Sequence, residues 1–326
     1  MGRIDMIRPF FVEFTVSLMF MVLKASFRLT ADAYDPFVFF RCRDRFREAF
    51  RQASGCTGGA PGCCVRGDEC PSCFVFSQSL SPDPEAVKRH QKPPLPFAFA
   101  FPVLSSPPKA GTRLAFRLTI VGRATRHVGV FVESLRLLFG ALERGGSLSA
   151  VLERVESLGY HDEKALVSDG MFTSVGADIP ILLSADGLRD VRLLDGVAAF
   201  KLDIVTPLAI IQEGKALRRF GFSPFIRSII RRVSSLASYY GDGELSADYK
   251  WLASLSEEVV VSNSSIQWME WRRAYGGGRI GGLMGEAVLA GALDEFVPFL
   301  LMGEVLNGGK GASFGLGHFT IAPHLL

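Results

Sequence analysis

The sequence predicts an α+β fold built from two tandem ferredoxin-like domains, with a cysteine-rich insertion in the first domain. The order strand, helix, two strands, helix, strand, which is typical of a ferredoxin-like unit, occurs twice along the chain. The 326 residues are enough for two domains of ordinary size, and a hydrophobic content of 48% supplies two buried cores. We expect domains at 1–158 and 196–326, joined by a linker at 159–195.

The first domain follows from six segments. MFMVLKASFRLTA (19–31) is expected to be a buried strand, and FAFAFPVL (97–104) and GTRLAFRLTIVG (111–122) alternate as strands do. HVGVFVESLRLLFGALERGG (127–146) has helical spacing, and LSAVLERVES (148–157) is a short strand. In the first predicted helix, one apolar face comprises Cys42, Phe46, Ala49, Phe50 and Ala53. The insertion is expected at about 55–95.

The second domain repeats the same order. GVAAFKLDIVTPLAIIQEG (196–214) is strand-like with a break at Pro207, and the next helix is expected to begin with Ser223 as its N-cap and Pro224 at its first position. ADYKWLASLSEE (247–258) is a helix. VVVSNSSIQWMEWRRAY (259–275) and RIGGLMGEAVLAG (279–291) are a pair of strands. LDEFVPFLLMGEVLN (293–307) is a helix, and HFTIA (318–322) is the closing strand.

The apolar N-terminal stretch FFVEFTVSLMFMVLKASF imitates a signal peptide or a membrane anchor. Glu13 and Lys24 interrupt it, its uninterrupted run is shorter than the ~20 residues of a spanning helix, and no small-x-small cleavage site follows. We therefore expect a cytoplasmic protein without a membrane partner. A signal peptide is the alternative.

Positive charge is concentrated in two segments, although the net charge is only +3. Five arginines fall in RCRDRFREAFR (41–51), and five more fall in RRFGFSPFIRSIIRR (218–232). Basic faces on a nearly neutral chain favour a polyanionic partner. The alternative is that these arginines are ordinary solvated helix faces.

Five of the six cysteines lie in CTGGAPGCCVRGDECPSC (56–73). Such a cluster favours a small structural zinc site over a disulfide scaffold. The expected ligands are Cys56, Cys63, Cys70 and Cys73, and Cys64 competes for the second place. No spacing here matches a standard zinc finger, so free thiols and disulfides stay open as alternatives.

The stretch GGKGASFGLGHFTI (308–321) places five glycines in ten positions around Lys310. It is not a nucleotide-binding P-loop, because Gly311 follows the lysine and the loop precedes a strand rather than a helix. GGGRIG (276–281) fits a dinucleotide-binding pattern, but a strand-like segment follows it. A backbone-amide site for phosphate remains, with a plain glycine turn as the alternative.

Several segments of the chain resemble one known family. FLLMGEVLNGGKGASFGLGHFTI, LDIVTPLAI with SPFIRSIIRRVSSLASYYG, and WMEWRRAY with GRIGGLMGEAVLAG are similar to the CRISPR-associated pre-crRNA-processing endoribonucleases of the RAMP superfamily. FRCRDRFREAFRQASGCTGGAPGCC and CPSCFVF resemble the subgroup with a cysteine-rich segment.

The resemblance implies that CRISPR repeat RNA (pre-crRNA) is bound across both domains and cleaved without a catalytic metal. The ribose 2′-OH attacks the neighbouring phosphate and leaves a 2′,3′-cyclic phosphate and a 5′-OH, a reaction that needs a base, an acid and a cation. The expected RNA-binding residues are Gly308, Gly309, Gly311, Ser313, Gly315, Gly317, Arg43, Arg47, Arg227, Arg231, Arg272, Arg273 and Arg279.

The expected catalytic machinery departs from the family pattern. Where relatives carry a histidine before the loop lysine, this chain has Asn307 and Gly308. The candidates are His318, taken to be an accessible imidazole beside the loop, with Lys310, His90 and Tyr275. The missing histidine also leaves open a catalytically inactive protein that holds crRNA, for example within a CRISPR effector complex.

Overall fold

The computed structural model describes residues 18–58, 64–80, 84, 87, 93–142, 149–168, 171–172, 180–272 and 279–324. They form two large antiparallel sheets with helices packed against them, in the order that the sequence predicts twice, and one small two-stranded sheet. Within these ranges, every helix is too short or too polar to cross a membrane.

The described residues of the first domain include six strands and three complete α-helices. The strands are β1 (Phe20–Leu29), β2 (Phe97–Ala100), β3 (Arg113–Val121), β4 (Ala150–Leu158), β5 (Glu163–Ser168) and β6 (Met171–Phe172). The helices are α1 (Arg43–Ala53), α2 (Pro71–Phe76) and α3 (Val128–Leu142), with short 3₁₀ turns at Val38–Arg41, Gly67–Glu69 and Gly122–His127.

The first sheet has the strand order β2-β3-β1-β4-β5-β6. Its first four members have the ferredoxin-like arrangement, with β1 between β3 and β4. Strands β5 and β6 fall in the predicted linker and extend this sheet by pairing beyond β4. One edge strand, β2, pairs only with β3 among the described strands.

Aromatic packing holds the first core together. The apolar face predicted for α1 is confirmed, since Phe46 and Phe50 are fully buried. Phe46 packs edge-on against Phe99 of β2 with ring centroids 4.9 Å apart, and Phe50 packs against Phe131 of α3 at 4.8 Å. Helix α1 is therefore fixed against β2, with Arg43 and Arg47 exposed on its other side.

Among the described residues, the second domain has seven strands and four α-helices. The strands are β7 (Ala199–Leu208), β8 (Ile211–Gln212), β9 (Lys215–Ala216), β10 (Val260–Ser262), β11 (Gln267–Arg272), β12 (Arg279–Ala290) and β13 (Phe319–Pro323). The helices are α4 (Ala185–Arg192), α5 (Phe222–Tyr240), α6 (Tyr249–Leu255) and α7 (Val297–Leu306). The sheet order is β10-β12-β7-β13, with β11 also paired to β12, and β8 and β9 form a separate hairpin.

Three local predictions for this domain are wrong. Helix α5 begins at Phe222 after Gly221, and the hydroxyl of Ser223 lies 2.8 Å from that of Ser256 instead of capping the helix. Strand β7 continues through Pro207, which is tolerated because the pairing register with β12 shifts there. The segment expected to be one strand forms two, β10 and β11, and Asn263 lies between them with φ of +46°.

Each hydrophobic core takes side chains from the other domain. Phe20 and Val121 belong to the core around α5 and α7, and Trp271 of β11 belongs to the core of the first domain. Trp271 stacks on Phe37 with ring centroids 4.3 Å apart. At a third point, Gly122 approaches the C-terminal end of α5 at Tyr240.

Replacement of Gly122 by alanine is expected to loosen the contact between domains. Its φ of +53° disfavours any side chain, and a Cβ would overlap the backbone carbonyl oxygen of Tyr240. Gly111, with φ of +84° and no atom within 4 Å of its Cβ position, is the matched control. We expect Gly111→Ala to cost roughly 1 to 2 kcal/mol from backbone strain alone and Gly122→Ala to cost clearly more. Urea unfolding measures the free energy of unfolding of both variants. An equal loss of stability in the two variants would contradict the close contact at Gly122.

Candidate nucleic-acid interface

The glycine-rich loop connects α7 to β13 and lies against both domains. The backbone N–H of Lys310 donates to the carbonyl of Ala209 at 2.8 Å, and that of Gly308 donates to Gly317 at 2.9 Å. A Cβ at Gly309 would lie 2.6 Å from the Ala209 oxygen, and Gly309 has φ of +69°. Glycine is therefore required by the protein's own backbone at this position.

Gly315, expected to bind RNA, is enclosed by the protein instead. Gly315 is buried, with φ of +85°, and a Cβ there would meet the ring of Phe101 at 2.5 Å. Within the loop at 307–318, only Lys310 and Gly311 are exposed. The surface that the loop offers to a ligand is therefore its tip, Lys310–Gly311.

Asn307 joins the loop to the free edge of β2. Its side-chain Nδ2 donates to the carbonyls of Phe99 at 2.7 Å and of Ala312 at 2.8 Å. Asn307 is 1% exposed and has φ of +58°, a conformation that asparagine adopts more readily than most residues. Sequence reasoning placed Asn307 where a catalytic group was missing; the structure gives it a structural role.

Arg232 of α5 reaches the same edge and was not among the residues selected from the sequence. Its Nε donates to the carbonyl of Leu306 at 2.9 Å, and its guanidinium lies 3.3 Å from the Ser313 hydroxyl and 3.4 Å from the Phe97 carbonyl. Burial lowers its pKa to about 10, so it stays cationic at neutral pH. The charge also complements the C-terminal end of α7. Ser313, expected to bind RNA, is buried as the partner of this arginine.

His318 is buried, which contradicts the expectation of an accessible imidazole. Its Nδ1 lies 3.1 Å from Asn307 Oδ1, and its backbone N–H donates to the Thr206 hydroxyl at 2.8 Å. Burial lowers its pKa to about 4, assisted by the charge of Arg117. A neutral, enclosed imidazole of this kind is a weak proton acceptor at pH 7 and favours a structural role.

One of the expected RNA-binding arginines, Arg43, lies beside the loop, and Arg47 lies one turn further along α1. The guanidinium of Arg43 lies over the ring of Phe314, 5.8 Å from its centroid, and Arg47 lies at the same distance over Phe76. Both arginines are exposed on α1. The basic face of α1 and the loop tip at Lys310 therefore belong to neighbouring parts of the surface.

The remaining expected site residues lie elsewhere or outside the described ranges. Arg227 and Arg231 are exposed on α5, and Arg272 is exposed at the end of β11. Arg279 is exposed and forms an ion pair with Glu270 at 3.4 Å. His90, Arg273 and Tyr275 lie outside the described residues.

Four cysteines come together as the sequence predicts, with Cys64 among them, and their role as metal ligands stays a prediction. The Sγ atoms of Cys56, Cys64, Cys70 and Cys73 all lie within 4.8 Å of one another. The expected Cys63 lies outside the described residues, and the competing Cys64 takes the second place. A tetrahedral zinc ion with ~2.3 Å bonds would set its sulfurs ~3.8 Å apart, so the cluster fits zinc with little rearrangement.

One basic side chain, Arg66, lies against the cluster, and the cysteine thiols differ in pKa. The Arg66 guanidinium lies 3.5 Å from Cys70 Sγ and donates to the carbonyl of Ser54 at 2.8 Å. The backbone N–H of Arg66 lowers the pKa of Cys64 to about 6, whereas burial raises that of Cys56 to about 11. The cluster joins the end of α1 to α2, and four thiolates would close the zinc coordination sphere. A bound metal would therefore stabilise the basic helix rather than activate a substrate.

We expect the protein to bind about one equivalent of zinc and Cys64→Ser to lose most of it, with a lower melting temperature. Cys42→Ala removes a buried thiol outside the cluster and is the control, since it should retain the metal. Elemental analysis and thermal unfolding measure the two effects. A metal-free unaltered protein, or full metal content in Cys64→Ser, would contradict the assignment.

His318 should make stability depend on pH between about 6.5 and 4. The unfolded imidazole binds a proton as the pH falls through 6.5, whereas the folded one stays neutral down to about 4, so stability is present above 6.5 and is lost below it. The expected loss is roughly 3 kcal/mol over this interval. Urea unfolding at pH 7 and pH 5 should show a steeper loss for the unaltered protein than for His318→Gln. Identical losses would indicate an exposed imidazole.

Two family models match parts of the chain. Residues 202–319 match a family model described as CRISPR-associated endoribonuclease Cas6, and residues 23–176 match one described as an N-terminal domain. No curated protein matches the chain. The two models together span parts of both domains.

Solved Cas6 structures share the fold over nearly the whole chain at low identity. A product complex of Cas6 (TTHB231) from Thermus thermophilus has a TM-score of 0.51 and 16% identity, covering 93% of this chain and 100% of that chain. A Cas6 (TTHA0078) product complex has a TM-score of 0.52 and 15% identity over 93% and 99%. A partial Cas6-RT-Cas1–Cas2 complex has a TM-score of 0.56 and 12% identity over 94% of this chain and 46% of that longer one.

The family match falls on the domain that contains the glycine-rich loop, and the tandem ferredoxin-like fold around it is that of solved Cas6 structures. The second domain of this chain therefore resembles the Cas6 family of CRISPR-associated endoribonucleases.

Proposed function

We propose that the protein cleaves CRISPR repeat RNA without a catalytic metal, to a 2′,3′-cyclic phosphate and a 5′-OH. The observation that carries the proposal is the loop tip, where exposed Lys310 lies on a rigid loop beside the basic face of α1. Asn307 and Arg232 fix this loop against β2, so the lysine is presented by both domains together. A polyanionic strand crossing the domains would meet Lys310, Arg43 and Arg47.

Lys310 supplies electrostatic stabilisation in this mechanism. As the 2′-oxygen attacks the phosphorus, negative charge builds up on the phosphorane oxygens, and an ammonium group held beside them lowers the barrier. The 2′-OH must lose a proton and the departing 5′-oxygen must gain one. His90 and Tyr275 stay the proposed acid and base, because His318 is enclosed and has a pKa of about 4.

A second candidate function is RNA holding without cleavage. The burial of His318, the histidine nearest the loop in sequence, favours this alternative. In that case the same surface would hold crRNA for a CRISPR effector complex, and Lys310 would contribute to affinity only. In either case we propose that the protein acts in the cytoplasm.

Cleavage of the cognate repeat RNA in EDTA tests the proposal. A 2′-deoxy substitution at the nucleotide before the cut should abolish cleavage without abolishing binding, because it removes the nucleophile. Lys310→Ala should slow single-turnover cleavage by about 10²-fold, since it removes a cation that acts on developing charge. Lys109→Ala is the control. Lys109 forms an ion pair with Asp32 at 2.9 Å, and the variant should cleave RNA at the normal rate.

Two results would change the conclusion. Tight RNA binding without any cleavage by the unaltered protein would favour the RNA-holding function. Cleavage that requires added metal, or that proceeds through the 2′-deoxy RNA, would exclude the proposed chemistry.

A further inference from the structure

We propose that the second domain contains a pocket that receives one nucleotide flipped out of the bound RNA strand; this inference rests on the proposed RNA-binding function. The pocket has a volume of about 720 Å³ and lies between the β8–β9 segment, the outer face of α5, and α6. Pockets that bind small organic ligands have volumes of ~300–1,000 Å³, so one nucleotide fits. Those lining residues that carry the argument are Arg227, Arg231, Glu244, Tyr249 and Glu257.

The walls of the pocket are held in place without a ligand. Asp248 caps α6 by accepting from the backbone N–H groups of Lys250 at 3.1 Å and Trp251 at 3.0 Å. The hydroxyls of Ser256 and Ser223, 2.8 Å apart, tie the end of α6 to the start of α5. The preorganised walls reduce the ordering cost of binding.

Two arginines of α5 are placed to bind a phosphate group. Arg227 and Arg231 are four residues apart on α5, so they are neighbours on one helix face, and both are exposed. No salt bridge of the described residues includes either of them. Guanidinium groups bind phosphate oxygens in a bidentate manner, and a pair of them suits a single RNA phosphate.

The opposite wall of the pocket would repel a phosphate, but its side chains can bind a nucleobase. Glu244 and Glu257 line it with carboxylates, which would repel a phosphate but can accept hydrogen bonds from the amino group of a nucleobase. Tyr249 is 39% exposed, and its hydroxyl donates to the carbonyl of Leu245 at 3.1 Å, which fixes an aromatic ring at the wall. Buried Ile210 and Ile230 add apolar surface. A base with an exocyclic amino group is the expected occupant.

The pocket lies next to the glycine-rich loop. Lys310 donates its backbone N–H to Ala209, and the following residue, Ile210, lines the pocket. An RNA strand at the loop tip is therefore close enough for a neighbouring nucleotide to enter. Removing one base from the stack costs a few kcal/mol, least where the RNA is unpaired, so the pocket would select an unpaired nucleotide.

An abasic scan of the cognate repeat RNA tests the pocket. The base is removed at one nucleotide at a time, and the dissociation constant is measured for each RNA. With the unaltered protein, one unpaired position should stand out with about a tenfold or greater loss of affinity, because stacking on an aromatic side chain is lost with the base. Tyr249→Ala should weaken binding of intact RNA and show no additional loss at that position.

Matched controls separate the pocket from general charge. Tyr34 is 68% exposed and does not line the pocket, so Tyr34→Ala should keep the unaltered abasic profile. Arg231→Ala should weaken binding of all RNAs, but it should also reduce the loss at the same single position. Arg219 is an exposed arginine that does not line the pocket, so Arg219→Ala should not reduce the loss of affinity at that position.

The outcomes distinguish the pocket from the proposed function. RNA that binds and is cleaved, but whose abasic profile is flat or is the same in Tyr249→Ala, overturns the pocket and leaves the endoribonuclease proposal standing. Failure of the unaltered protein to bind intact repeat RNA overturns both. Loss of the single sensitive position in both Tyr249→Ala and Arg231→Ala, with Tyr34→Ala unchanged, establishes the pocket.

Discussion

The structure depends on which groups donate hydrogen bonds to the backbone carbonyls along the open edge of β2. Along this edge the carbonyls of Phe97 and Phe99 point away from β3, and a buried backbone carbonyl without a partner is costly. The second domain supplies both donors from side chains, Arg232 for Phe97 and Asn307 for Phe99. No further strand is needed, and the glycine-rich loop is held where the two domains meet. The position of Lys310 follows from this hydrogen bonding.

The same arrangement explains the low side-chain content of the loop. Gly309, Gly315 and Gly317 all have positive φ, and a Cβ at each would press on protein atoms, so the protein excludes side chains there for its own packing. Only the tip is left to interact with a ligand. A loop this rigid holds its single lysine in a defined place, which electrostatic catalysis requires, since a mobile ammonium group would have to be ordered during the reaction.

Much of the fold could be predicted from the sequence, because periodicity of apolar residues reports burial directly. The apolar face of α1 and the alternation in β3 are examples. The site was harder to predict. Whether His318 is exposed depends on Asn307 and Thr206, which approach it only in the folded chain. Likewise, Cys63 and Cys64 are adjacent, and their spacing to Cys56 and Cys70 cannot show which thiol turns towards the others.

The exchange of core side chains between domains has a consequence for folding. Phe20, from the first strand, is buried with helices encoded two hundred residues later, and Trp271 is buried with helix α1. Neither half can complete its interior until the other is present. We therefore expect the chain to unfold as one cooperative unit, and a cut between the two domains would leave each half with an exposed apolar face.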